Sequence, residues 1–437
     1  MKKVLLMLLF ILGMISIGLA QETAVVAPKI DTGDTAWILM CTALVMFMTP
    51  GLAFFYGGMV RRKNVLGILM QCFFILCVMS LQWVILGYSL SFAPGEGFWG
   101  GLKWMFLSGV GLDPYPDYSG TIPHQVFMIF QSMFAVITPA LIIGAFAERM
   151  KFSAFVLFIL LWATFVYDPV CHWVWGMGGW LRKLGALDFA GGTVVHINAG
   201  VAAIVTALVI GKRKNFDHTP IPPHNLPFTM LGTALLWFGW FGFNAGSALG
   251  ANGIAANAFV VTNTAAAAAG ICWSVIDWIV VGKPTMLGIV TGAVAGLVAI
   301  TPAAGFVNVQ SAMIIGIVVS IICYMMVTYI KPKLGYDDSL DAFGVHGIGG
   351  IWGAIATGLF ASKSVNPAGA DGLFYGNPKL LMIQLITVGV TIVYSLVVTF
   401  IIYKVVDLVV GVRVNTKEEN IGLDLTQHHE GAYTVLE

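Results

Sequence analysis

Eleven apolar stretches, each about as long as a bilayer is thick, follow one another along this chain at 35–58, 65–92, 124–147, 152–176, 188–210, 228–247, 255–281, 285–301, 311–330, 341–360 and 380–410. In hydrocarbon every backbone N–H and C=O has to find a partner within its own segment, so runs of this kind fold as helices. The expected fold is an all-α polytopic membrane protein with eleven transmembrane helices. Charged residues make up only 10% of the chain, well under the roughly 25% usual in soluble domains, which leaves nothing for a large soluble domain. A formal charge of +1 with no basic tract beyond short loops gives no footprint for nucleic acid.

The first residues, Met1-Lys2-Lys3, precede an apolar stretch that ends Gly18-Leu19-Ala20. This reads as a signal peptide over 1–20, with a retained first span as the alternative. Cleavage places the mature N-terminus outside the cytoplasm, and eleven spans then place the C-terminus inside. Lysine and arginine test that parity: of 22, fourteen fall in segments expected to be cytoplasmic, six outside, and Lys2 and Lys3 in the leader. The bias follows the positive-inside rule. The expected organisation is a membrane domain over 21–413 and a cytoplasmic tail over 414–437, in a bacterial inner membrane. The six cysteines form no CxxC pair and read as small core residues, so neither a disulfide framework nor a metal site is expected.

Two stretches stand out inside the apolar runs. Leu187–Gly200 carries Leu187-Asp188, then Val195-His196, then Gly200; Leu340–Gly350 carries Leu340-Asp341, then Val345-His346, then Gly350. Ionisable residues within spans are costly and usually face the protein interior. Eleven spans divide as five, five and one, with a histidine span closing each half. Because five is odd the second half is inverted, an arrangement that puts a site near the midplane between the halves. At about 1.5 Å per residue, His196 lies roughly 12 Å below Asp188 and His346 roughly 8 Å above Asp341, approaching the middle from opposite faces. Three readings of the pair stay open: two unrelated core histidines bonded to backbone carbonyls, two haem ligands, or a hydrogen-bonded imidazole pair lining a narrow path. A neutral pair offers both donors and acceptors to a small polar molecule or a proton.

Asp188 starts its helix, which makes capping its default role, with electrostatic attraction of cations the alternative; Asp341 has the same ambiguity at the other face. Aromatic residues gather at the outer ends of two spans, in Cys171-His172-Trp173-Val174-Trp175-Gly176 and Trp240-Phe241-Gly242-Phe243-Asn244-Ala245-Gly246-Ser247. An indole face attracts a cation and a serine hydroxyl accepts a hydrogen bond from one. Trp173 and Trp180 read as an interfacial belt. Gly242, Gly246 and Gly250, and likewise Gly288, Gly292 and Gly296, form small-residue ridges that read as packing surfaces.

The stretch Leu187 to Asn198 closely resembles the signature of ammonium transporters, the family related to the Rhesus proteins. So do Gly239 to Ser247, Phe343-Gly344-Val345-His346-Gly347, and the tail around Gly422-Leu423-Asp424, His428 and Ala432-Tyr433. The resemblance implies a set of roles. His196 and His346 match the twin histidines of the pore. Trp175, Ser247 and Phe134 match an outer site that recruits the cation, and Phe134 and Phe243 match stacked gate rings. Asp188 matches the aspartate that supports the vestibule, and Asp341 the acidic residue at the inner exit. It further implies a homotrimer with one pore per subunit, ammonium (and methylammonium) as substrate, no cofactor, no enzymatic activity, and a cytosolic PII-type signal protein as partner. Met133, in Gln131-Ser132-Met133-Phe134, departs from the smaller residues of relatives and bears on the shape of the gate.

The mechanism implied is recruitment of NH4+ at the outer aromatic and serine site, deprotonation, and passage of NH3 past the phenylalanines to the histidine pair. Passage of the proton along the imidazoles would make transport electrogenic, a point the sequence leaves open. The alternatives are an ammonium sensor of the same fold, for which the stretch after Val410 is short, and a membrane haem protein.

Overall fold

The computed structural model describes residues 29–433, so the expected leader at 1–20 and the last four residues of the tail lie outside the described residues. Ten described helices are long and apolar enough to cross a membrane. In chain order they are α1 (Thr32–Met59), α2 (Arg62–Phe92), α3 (His124–Phe146), α4 (Phe152–Leu184), α5 (Gly192–Ile210), α6 (Leu226–Gly246), α7 (Gly253–Val281), α9 (Val309–Leu334), α10 (Phe343–Phe360) and α11 (Pro378–Val410). The expected eighth span is α8 (Met286–Ile300), apolar but only 15 residues long. The order of the sequence reading is therefore kept, as ten long helices and one short one. Two short helices, α12 (Thr416–Ile421) and α13 (Leu423–His428), follow in the tail. The chain is not purely helical: β1 (Pro114–Tyr115) and β2 (Ser119–Pro123) pair antiparallel in the loop before α3, with Pro114 opposite Pro123.

The helices sort into two sets that meet along two seams. α1 runs beside α6, and α5 crosses α10. The second crossing is possible because both backbones are bare there: a Cβ on Gly200 would collide with the backbone of Gly347, and one on Gly350 would lie 3.0 Å from the Gly192 carbonyl and from the His196 Cβ. The Gly288/Gly292/Gly296 ridge packs on α7, where added Cβ atoms would meet Trp273, Ala269 and Ala265, so these glycines serve packing as expected.

Matching devices recur in the two halves. α4 contains a π-turn at Ala163–Tyr167 followed by Asp168-Pro169; α9 contains one at Met326–Ile330 followed by Lys331-Pro332. α4 and α9 both end at Leu-Gly, with Gly185 (φ 98°) and Gly335 (φ 67°) in the left-handed conformation that lets a helix stop. α5 and α10 both open with a π-turn, Gly192–Ile197 and Phe343–Gly347, and each turn carries its histidine. One-turn π insertions concentrate where a side chain has to be re-aimed.

At one end of the bundle, loops are bound by a buried ion-pair clasp. Glu148 pairs with Arg61 (2.9 Å) and Arg213 (3.3 Å), and Asp337 with Arg213 (2.9 Å) and Arg149 (3.2 Å). The tail is strapped across the same end. Glu419 takes Arg413 (3.0 Å) and the Lys214 N–H (2.6 Å), Asn64 Oδ1 accepts from Leu423 N–H, and Asp424 Oδ1 from Gly67 N–H (2.8 Å each).

Candidate functional site

The carboxylate of Asp188 accepts four backbone N–H bonds at once: Gly191 (2.8 Å) and Gly192 (2.7 Å) on one oxygen, Thr193 (2.7 Å) and Val194 (3.1 Å) on the other. These are the donors a helix start leaves unpaired. Asp188 thus caps α5 and fixes the turn that aims His196. Its own carbonyl accepts from Trp175 Nε1 (2.8 Å), which sets the plane of that indole.

The other half has the same device, on a different residue from the one its local sequence suggests. Leu340-Asp341 looks like the counterpart of Leu187-Asp188. The capping carboxylate in the fold is instead Asp338, accepting from Ala342 (3.1 Å) and Phe343 (2.7 Å). Asp338 stands eight residues before His346, as Asp188 stands eight before His196, and both close a Leu-Gly-x-x-Asp motif. Burial pushes the Asp338 carboxyl above its ordinary range, with Asp341 adding to the rise and Lys331 opposing it. Asp341 is ion-paired with Lys331, whose Nζ also donates to the Asp338 carbonyl at 3.0 Å.

Trp175, Ser247, Phe134 and Asp188 line one cavity of about 210 Å³. Ser247 Oγ donates to the Phe243 carbonyl (2.9 Å), leaving its lone pairs free. Arg182 lines the same cavity and donates to the Trp175 carbonyl (2.5 Å). Phe134 forms the floor, edge-to-face with Trp175 at 5.8 Å and close over Phe243 at 4.3 Å between centroids. Both phenylalanines are buried and together seal the cavity's inner end. Met133 is buried but lines neither this cavity nor the gap beneath it, so it packs behind the two rings.

Beneath the rings the two histidines stack, 5.4 Å between centroids and 16° between planes. His196 is also stacked on Trp240 at 5.4 Å, and Trp240 Nε1 is held by Thr301 Oγ1 at 2.8 Å. Among the described residues both ring nitrogens of His196 and Nδ1 of His346 are buried without a hydrogen-bond partner. The space left beside the rings, walled by Leu52, Phe243 and Val294, is about 10 Å³. That is no more than the least volume that holds one water, and it leaves no room for a porphyrin, which rules out the haem reading. The stacking of the two rings, and the lack of any backbone partner for these nitrogens among the described residues, removes the reading of two unrelated histidines bonded to backbone carbonyls.

Past His346 the space widens into a cavity of about 190 Å³ bounded by Asp341, Asp277, Thr285 and Tyr324. The expected site residues therefore fall in one file: vestibule, phenylalanine pair, histidine pair, second vestibule. Sequence reasoning missed Trp240, grouped with the span-end aromatics, although its offset of three from Phe243 signals a shared helix face. It also missed Asp338 and Asp277. Trp173 is not part of an interfacial belt; it is buried under the 96–104 loop with Nε1 on the Phe98 carbonyl (2.9 Å).

The sequence model described as the Ammonium Transporter Family matches residues 36–433. The chain is 59% identical to the ammonium transporter of Bacillus subtilis over 92% of its own length and 98% of that protein's. It is 55% identical to ammonium transporter Amt1 of Archaeoglobus fulgidus over 92% and 99%. Its fold is similar to the crystal structure of Candida albicans Mep2, with a TM-score of 0.84 and 38% identity, covering 89% of this chain and 88% of that one. It is also similar to a protein described as a sensor Amt protein, with a TM-score of 0.84 and 30% identity over 91% and 98%.

Proposed function

Since this chain belongs to the ammonium transporter family, it is a multi-pass membrane protein that moves ammonium, and we propose that it does so by stripping the ion of its proton at the Trp175 end and passing NH3 between the stacked histidines. The observation that carries this reading is the sealed gap of about 10 Å³ lined by imidazole nitrogens that have no partner among the described residues. An unpaired ion costs about 20 kcal/mol by idealised Born estimate to enter apolar surroundings. Na+ and K+ have no way to shed that charge; NH4+ does.

In this mechanism Trp175 offers its indole face, Ser247 an oxygen lone pair and Phe134 a second ring to NH4+ in the first vestibule. Asp188 acts as cap and support, since four amides already occupy its oxygens. Water in the first vestibule takes the proton as the N–H bond breaks, and neutral NH3 slips past Phe134 and Phe243 when the rings move apart. It then exchanges hydrogen bonds with His196 and His346, satisfying nitrogens that are otherwise bare.

The proposed setting is a bacterial inner membrane with the Trp175 end outside and the clasp and tail in the cytoplasm, consistent with the distribution of lysine and arginine. The unit is a homotrimer with one pore in each subunit, open to a PII-type regulator at the Asp341 end. It transports, and performs no chemistry on its substrate beyond moving a proton. Transport is favoured over sensing by identity of 59% to a transporter against 30% to a sensor.

Proteoliposomes test the reading. Ammonium or methylammonium is expected to drive uptake, and K+ is expected to drive none. A saturable inward current means that charge crosses with the nitrogen, and uptake without current means NH3 crosses alone. Absence of uptake with either substrate overturns the proposal.

A further inference from the structure

Two carboxylates border the second vestibule, and they are electrically unlike. Asp341 is neutralised by Lys331. Asp277, near the end of α7, has no cationic partner among the described residues; one of its oxygens accepts from the Thr285 hydroxyl, and no other hydrogen bond reaches it. It is only 5% exposed, and it borders the same cavity as His346, whose Nδ1 is buried without a partner. The site is built. Thr285 caps α8 through the Gly288 N–H (2.9 Å) while it donates to Asp277, and Gly288 leaves the space the carboxylate fills, since any Cβ there would strike that carboxylate oxygen.

We propose that Asp277, not Asp341, is the group that holds ammonium in the second vestibule, where NH3 leaving the histidines becomes an ion again; this rests on the transport reading above. A buried carboxylate with a single hydrogen bond has acceptor positions left over, and leaving buried polar groups without partners is costly. A small monovalent cation that donates hydrogen bonds removes the cost, and the cavity is where one is generated. NH3 takes a proton from cavity water as a new N–H bond forms and a water O–H bond breaks. The hydroxide diffuses to bulk, and the Asp277 carboxylate accepts hydrogen bonds from the NH4+ and holds it. In the reverse direction the same carboxylate collects NH4+ before it is deprotonated. The residue therefore sets the affinity seen by substrate entering from the Asp341 end.

The test is Asp277→Asn, which keeps the shape and removes the charge, assayed in right-side-out and inside-out vesicles. The ammonium concentration giving half-maximal flux from the Asp341 end is expected to rise about fivefold or more, with less than a twofold change from the Trp175 end. Equal behaviour from both ends overturns the assignment. Crystals of the unmodified protein soaked in thallium(I), close to ammonium in size, give a readout independent of the variant's folding. Anomalous density beside Asp277 is expected; density beside Asp341 alone, or none in this cavity, overturns the assignment. If unmodified protein carries no ammonium from either end, the transport reading itself fails, whereas the thallium result still decides whether Asp277 is a cation site.

Discussion

At the scale of single residues, His196 and His346 are unusual in being buried, stacked and unbonded. Leaving polar atoms bare inside a protein is costly unless something visits them. Replacing either with alanine removes the partner NH3 would use and widens the gap. The expected result is lost ammonium flux or a new K+ leak, read in vesicles as ammonium uptake and K+ current. Normal flux with unchanged selectivity in both variants would sink the pairing. Trp175 acts earlier. A cation over an indole gains about 0.5–2 kcal/mol, so Trp175→Leu should raise the half-saturating ammonium concentration from a few-fold to about thirtyfold while changing maximal flux less. An unchanged concentration dependence would move recruitment away from Trp175. The histidines and Trp175 were legible because ionisable or aromatic residues in apolar runs are few. Trp240 was not, because a tryptophan near the end of an apolar run usually marks the interface, and only the fold turns it onto His196.

At the scale of elements, the ends of α5 and α10 are set by Asp188 and Asp338, and the loops beside them by the Glu148/Asp337 clasp. Burial by itself would push both clasp carboxyls up. The guanidiniums of Arg149 and Arg213 at Asp337, and of Arg213 and Arg61 at Glu148, outweigh it and hold both below their ordinary range. A lowered folded value means that this stability is fully present above the unfolded value, about 4, and is lost as pH falls through the folded one. Thermal unfolding of the purified protein should therefore change little between about pH 7 and 5 from these groups and drop below about pH 4. Asp337→Asn should cost about 3–5 kcal/mol at neutral pH and flatten that acid loss. An acid profile identical in the variant would show that the clasp is not its origin. The sequence carried the half-repeat through Val-His and the following glycine, but its Leu-Asp pairs gave a false register. Asp338 could have been found from its spacing of eight to His346 and the Leu-Gly that precedes it. The clasp could not, since one of its pairs, Arg149 with Asp337, is 188 residues apart and no local pattern joins its members.

At the scale of the whole molecule, the tail is a strap rather than a loose end, joining the α1–α2 turn, the loop after α5 and the end of α11 through Leu423, Glu419 and Arg413. The second vestibule opens at Asp341, where a regulator could stop the pore without touching a histidine. A PII-type protein should co-purify from nitrogen-replete cells in a manner that depends on ATP, ADP and 2-oxoglutarate. If none does under any of these conditions, the regulatory proposal is dropped and the transport reading stands. The order of the ten long helices was legible as apolar runs. The shortness of α8 was legible as well, since the expected span 285–301 is close to the helix Met286–Ile300. The gap beside the imidazoles also bears on water. Water crosses narrow pores as an unbroken single file, and a space of about 10 Å³ between two closed rings and two histidines interrupts that file. A cell could then hold many copies of the protein without its osmotic balance being disturbed. Vesicles packed with it should shrink under a sucrose jump no faster than bare lipid, measured by stopped-flow light scattering, and faster shrinkage would mean that the file is continuous.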